Sequence, residues 1–146
     1  MKKSGLVLFF ACFLAAGLCA QEVHFLKTPA ITPDGKQIIF SYDEDLWAVA
    51  AAGGVAMRLT GLPGEESFPR ISPDGRWLAF ANNQNGNNDV YAMPLAGGEI
   101  RQLTFNDAAE QPSSWSWDSQ WLYFTSNGFN DFTAFKVALA GGTPRR

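Results

Sequence analysis

Past residue 19 the chain has no cysteine, and its one histidine, His24, stands close to the head of the sequence. Once the first twenty residues are gone, no disulfide framework, cysteine metal site or multi-histidine metal centre can be built. Beyond residue 20 nothing stays apolar for the roughly 20 residues that a membrane helix needs. No span is therefore expected after the leader. No stretch sustains a 3.6-residue apolar period with caps, so helices are not expected either. A serine hydrolase needs a nucleophile, a base and an orienting group, and the chain offers neither "GxSxG" nor a second histidine. No catalytic residue, metal or cofactor is assigned to it.

The head of the chain has the form of a secretory signal peptide over residues 1–20. Lys2 and Lys3 form a basic start, Leu6 to Ala16 are almost wholly apolar, and polar Gln21 and Glu22 follow. Cleavage after Ala20 is preferred, with cleavage after Gly17 as the alternative. Cys12 and Cys19 both lie inside the leader, and Leu18 stands where a lipid-anchored Cys19 would need a small residue before it. Residues 21–25 then form a linker to an exported domain, periplasmic or secreted. Removing the leader takes away two lysines and no acid, which moves the net charge from −3 to −5. An acidic surface gives no electrostatic reason to bind nucleic acid.

What the chain does have is repetition. "ITPDGKQIIF" begins at Ile31, "ISPDGRWLAF" at Ile71 and a worn copy, "WSWDSQWLYF", at Trp115. Asp34, Asp74 and Asp118 align across the copies, as do the aromatics Trp47, Tyr91 and Phe135 and the three "AGG" turns at Ala52, Ala96 and Ala140. The pitch changes in one place, where "SYDE" in the first unit becomes "ANNQNGNN" in the second. Length varies where a loop is, while the flanking strands keep register.

Each unit reads as four short strands. The first ends at a turn in which Pro33 or Pro73 presets φ, Asp34 or Asp74 bonds back to the backbone, and Gly35 or Gly75 takes a positive φ. The second and third are rich in aromatic and branched residues, and a glycine pair turns the chain into the fourth. Four strands at a pitch of about 40 to 45 residues make a β-propeller blade. The expected fold is all-β, with blades over about 26–60, 68–104 and 111–146. Three blades are an incomplete part of a ring, which needs at least about four. The third unit has Trp117, Asp118 and Ser119 where Pro-Asp-Gly is expected, which leaves its turn type open.

Units of the form "SPDG…AF…DVYAMPLAGGEIRQLT" resemble the propeller repeats of TolB-type periplasmic proteins, tricorn-type proteases and some exported peptidases and amidohydrolases. The first blade follows the leader directly, and its short loop into Asp45, Leu46 and Trp47 is similar to the opening blade of tricorn homologues. The resemblance implies an N-terminal six-bladed propeller that selects or channels peptides for a serine peptidase region further along. Its implied partners are peptides or proteins and the downstream domains of the same chain. Two alternatives stay open, a TolB-like periplasmic scaffold and the propeller of another exported hydrolase such as an amidohydrolase. The chain stops at Arg146, one residue before the leucine that ends the fourth strand in the other units, so a longer parent is expected.

Few residues suggest chemistry of their own. Asn82, Asn83, Asn85 and Asn87 are candidate rim contacts for a sugar or peptide, although Asn and Gly also suit the left-handed conformations of a long hairpin loop. Asp43, Glu44 and Asp45 have the oxygens for calcium but not the spacing of a calcium loop, and an acidic hairpin tip in water is favoured. Trp47, Tyr91 and Phe135, together with Trp77 and Trp121, recur once per unit. That recurrence favours packing between blades over a stacking platform for carbohydrate.

Overall fold

The computed structural model describes residues 25–129 and 131–146. The leader, both cysteines and His24 lie outside the described residues. Among the described residues eleven strands follow in order: β1 Lys27–Ile31, β2 Gln37–Tyr42, β3 Asp45–Ala50, β4 Met57–Arg58, β5 Glu66–Ile71, β6 Trp77–Asn82, β7 Asp89–Pro94, β8 Arg101–Gln102, β9 Glu110–Trp115, β10 Trp121–Phe129 and β11 Asp131–Ala138. They form three antiparallel meanders, β1 to β4, β5 to β8 and β9 to β11. In the third, an isolated bridge between Lys136 and Arg145 stands where the other two sheets have their fourth strand.

The turn chemistry explains why these strands begin where they do. In the first unit Thr32 Oγ1 donates to Asp34 Oδ1 at 2.6 Å, and the same carboxylate oxygen accepts the Lys36 N–H at 3.1 Å. Ser72 and Asp74 repeat this in the second unit, and Ser116 and Asp118 in the third. The third turn keeps the geometry without proline or glycine, because Ser119 takes the left-handed conformation at φ 59° that Gly35 and Gly75 hold at 71° and 69°. At the opposite end, Asp43 and Glu44 close the β2–β3 hairpin with φ of 50° and 69°, the sign pattern of a two-residue type I′ turn.

The strand alternation gives the second sheet one bulky and one slimmer face. On the second sheet Leu78, Phe80, Tyr91 and Met93 point towards the first, where they meet Ile39, Leu46 and Ala48. Its other face, with Ala79, Val90 and Ala92, receives Trp115, Leu122, Phe124 and Val137 of the third sheet. The register pairs Phe40 with Trp47, Phe80 with Tyr91 and Phe124 with Phe135 place the recurrent aromatics on the equivalent face of each sheet. Burying side chains of this size contributes about 1.5 to 3 kcal/mol each, and a lone sheet could bury only one of its faces.

The first strands of the three sheets lie side by side, β1 against β5 and β5 against β9. Each carries a register break: Lys27 to Ala30 in β1, Ser67 to Arg70 in β5, and a third in β9 opposite Tyr123 and Phe124. Cross-links tie them together, with the Phe68 N–H donating to Thr28 Oγ1 at 3.3 Å and Trp115 Nε1 to the Arg70 carbonyl at 2.9 Å.

Candidate functional site

The meander topology sorts the connections onto two rims. One rim carries the aspartate turns and the glycine-pair turns. The other carries the β2–β3, β6–β7 and β10–β11 hairpins together with the linkers between sheets, and it collects most of the acids.

On that second rim the four candidate asparagines all bond within the chain. Asn82 is buried, giving its amide to the Pro63 carbonyl at 3.0 Å and accepting the Gln84 N–H at 2.9 Å. Asn83 Oδ1 accepts the Glu65 N–H at 2.7 Å, and the loop presses so closely on the first linker that a Cβ on Gly64 would lie 2.4 Å from the same oxygen. Asn85 Nδ2 reaches the Tyr91 hydroxyl at 3.3 Å. Asn87 Nδ2 donates to the Asn106 and Ala108 carbonyls of the next linker at 2.8 and 2.9 Å. The long loop thus fastens both linkers to the second sheet.

The aromatics are likewise held from several sides. Trp47 Nε1 donates to the Tyr42 carbonyl at 3.0 Å, and its ring meets Tyr42 edge-on. Tyr91 stacks on Phe80 at 5.9 Å while its hydroxyl accepts from Gln84 Nε2 at 2.8 Å. Phe135 stacks on Phe124 at 5.7 Å. Trp77 and Trp121 lie under cations, Arg101 over the first and Lys136 and Arg145 over the second.

Phe124 and Phe135 also form one wall of a cavity of about 590 Å³ on the acidic rim. Asn106, Asp107, Glu110 and Asn127 supply its polar lining. Carbonyl, amide and carboxylate groups beside two stacked rings can hold a peptide segment by mixed polar and apolar contact. Among the described residues no group of three or more His, Cys, Asp or Glu could hold a metal ion.

Sequence reasoning missed the buried acids at the seams between sheets. Glu66 and Glu110 open β5 and β9, and their N–H groups donate to the Glu44 and Asn88 carbonyls of the preceding sheet at 2.7 and 2.8 Å. Glu66 accepts from the Leu46 N–H at 3.1 Å, from the Leu62 N–H at 3.2 Å and from the Thr60 hydroxyl. Burial pushes the Glu66 carboxyl up from its ordinary value, and these three hydrogen bonds pull against that rise. A signal was available, since Asp45, Thr60 and Glu66 recur as Asp89, Thr104 and Glu110, each 44 residues on.

The profile of the tricorn protease N-terminal beta propeller domain matches residues 23–146. The chain belongs to that family. Among solved structures it is similar to TolB from Acinetobacter baumannii, with 23% identity and a TM-score of 0.74 over 84% of this chain and 32% of that one. The tricorn protease is similar at 16% identity and a TM-score of 0.60, over 78% of this chain and 14% of that one. A prolyl endopeptidase structure matches at 14% identity and a TM-score of 0.65, over 84% and 21%. These likenesses establish the propeller fold, and the chain spans about a third of the TolB chain and far less of the two peptidases. No curated protein matches the chain. No helix among the described residues is long and apolar enough to cross a membrane.

Proposed function

We propose that the chain is the N-terminal propeller portion of an exported tricorn-like peptidase, non-catalytic itself, that binds and gates peptide substrates. The observation that carries this reading is the family match over residues 23–146. The rim cavity beside Phe124 and Phe135 supports it by offering polar and apolar contacts together. In this reading the three sheets are blades of a six-membered ring, as the resemblance to tricorn homologues implies, since three blades alone fall short of the about four that the smallest such rings have. Further blades and a serine peptidase region are encoded downstream, and residues 1–20 direct export. The test is to read the gene beyond the codon for Arg146 and to measure peptide hydrolysis by the encoded protein. A downstream serine peptidase region with activity is expected, and a frame without one overturns the proposal.

The likeness to TolB at a TM-score of 0.74 favours a second reading, a non-catalytic envelope scaffold that binds protein partners on its rim. It predicts a frame that ends soon after the last blade and a protein partner recovered by crosslinking in the periplasm.

A further inference from the structure

The second seam between sheets lacks side chains that fill the first. At the first seam Leu62 packs against the core, and Gln84 Nε2 donates to the Tyr91 hydroxyl at 2.8 Å. The residues that stand 44 places on are Asn106, Gly128 and Phe135. An apolar branch has become an amide, a long amide side chain has gone, and a hydroxyl has gone. All three residues line the cavity of about 590 Å³ on the acidic rim, so the opening is made by substitution at a seam that is otherwise copied.

The charged part of its lining is of one sign. Asp107 and Glu110 line the cavity, and no Lys, Arg or His does. Asp107 is exposed, whereas Glu110 is 1% exposed and its Oε2 is buried without a hydrogen-bond partner. The equivalent Glu66 has both oxygens hydrogen-bonded. Glu110 Oε1 takes only the side-chain amide of Asn106, an exposed linker residue, at 2.9 Å. Cations of the neighbouring strands are engaged elsewhere, Arg70 on the Pro69 and Ser113 carbonyls and Lys136 and Arg145 over Trp121. A buried carboxylate oxygen without a donor is costly, and here the open space beside it lets a donor come from outside the chain.

We propose that this cavity takes an arginine side chain of a bound peptide, its guanidinium against Glu110 and Asp107 and its aliphatic stem along Phe124 and Phe135. A guanidinium carries five N–H donors in one plane. It can replace the Asn106 amide on Glu110 Oε1, supply the missing donor to Oε2 and keep a fork for Asp107. It is also weakly hydrated and stacks on aromatic faces, which an ammonium does less well. The chain uses the same pairing at its first seam, where Arg58 meets the two oxygens of Asp45 at 2.8 and 3.0 Å. A metal ion is not matched, because among the described residues no group of three or more His, Cys, Asp or Glu could hold one. The inference deepens the peptide-binding reading of this cavity and rests on it for the source of the arginine.

The test is calorimetric titration of the full chain with a short alanine peptide, blocked at both ends, that carries one central arginine. The same peptide with citrulline, which keeps the shape and loses the charge, is the comparison. The arginine peptide should bind saturably, and the citrulline and lysine peptides should bind about tenfold more weakly or worse. Glu110→Gln keeps an oxygen for the Asn106 amide and should weaken arginine binding by a similar factor. Asp107→Asn, at an exposed site that does not threaten the fold, should weaken it less. Asn106→Leu puts back the side chain that fills the first seam and should block the cavity. No binding of the arginine peptide, equal binding of the citrulline or lysine peptide, or affinity unchanged in both Glu110→Gln and Asp107→Asn overturns the proposal. Hydrolysis plays no part in this readout, so a frame without a peptidase region leaves the titration result standing, and a failed titration leaves the peptidase reading standing.

Discussion

Ser119 Oγ accepts the Asp74 N–H at 3.2 Å, so the turn of the third sheet is hydrogen-bonded to the turn of the second. Ser119 also holds the positive φ that glycine holds elsewhere in the repeat, and one residue therefore does two jobs that conflict. Ser119→Ala keeps the strained backbone and loses the bond, and should cost about 0.5 to 1.5 kcal/mol. Ser119→Gly loses the same bond but relieves the strain, so it should cost less than Ser119→Ala. Chemical denaturation of the two variants checks the order, and equal stabilities would remove the strain from the account, while an alanine variant as stable as wild type would remove the bond.

Thr60 and Thr104 occupy equivalent places but carry different loads. Thr60 Oγ1 accepts the Leu46 N–H at 3.0 Å and donates to buried Glu66, whereas Thr104 Oγ1 accepts the Val90 N–H. Thr60→Val should cost about 1 to 3 kcal/mol because it takes the hydroxyl donor from a buried carboxylate oxygen and leaves it the Leu46 N–H alone. Thr104→Val should cost less. Unfolding free energies in the reverse order would contradict this reading of the seams.

Phe80 is fully buried between the first and second sheets and stacks on Tyr91. Phe80→Ala should cost about 3 to 5 kcal/mol, since large-to-small changes lose transfer energy and leave a cavity. Tyr123, 40% exposed on the opposite face of the third sheet from Phe124, should tolerate Tyr123→Ala at well under half of that loss. Thermal melts of both variants give the comparison.

Acid should loosen the aspartate turns. Hydrogen bonds from Thr32 and from Ser116 hold the Asp34 and Asp118 carboxyls below their ordinary values. For Asp74 burial alone would push the carboxyl up, and the bonds from Ser72, Arg76 and Ser119 outweigh it. A lowered folded pKa gives stability that is present above the unfolded value of 3.8 and lost as pH falls through the folded value. Asp118→Asn, whose carbonyl can still accept both bonds, should make the loss of stability below about pH 4 shallower. An unchanged acid limb would show that the turn carboxylate does not sense pH.

Asn82→Ala separates a fastening role from a contact role. Its amide and carbonyl bond to Pro63 and Gln84, so the variant should lose about 1 to 3 kcal/mol of stability. A variant as stable as wild type that no longer captured peptide would instead assign Asn82 to binding.

The repeat was legible because its information is local. Pro33, Asp34 and Gly35 specify a turn whatever surrounds them, and the branched and aromatic run of Ile38, Ile39 and Phe40 announces a largely buried strand. The third turn was open at the level of sequence because Ser119 adopts the glycine conformation with help from Asp74, a residue of another sheet. The seam acids escaped for the same reason. Glu66 and Glu110 stand in stretches that look like polar linkers, and only pairing with the preceding sheet draws them into β5 and β9 and buries them. The asparagine run was legible as a loop, but its bonds to Pro63, Glu65, Asn106 and Ala108 depend on where two linkers pass.

The bulky and slim faces of the second sheet give it a direction. Leu78, Phe80, Tyr91 and Met93 can seat against a slim neighbour, and Ala79, Val90 and Ala92 can receive a bulky one. Turned the other way round, bulk would meet bulk and leave voids elsewhere. Copies of such a unit therefore add in one rotational sense only, and each addition leaves the same kind of vacant seat for the next. Growth by duplication needs no new interface, because the side-chain volumes of one unit already contain the instruction for stacking another.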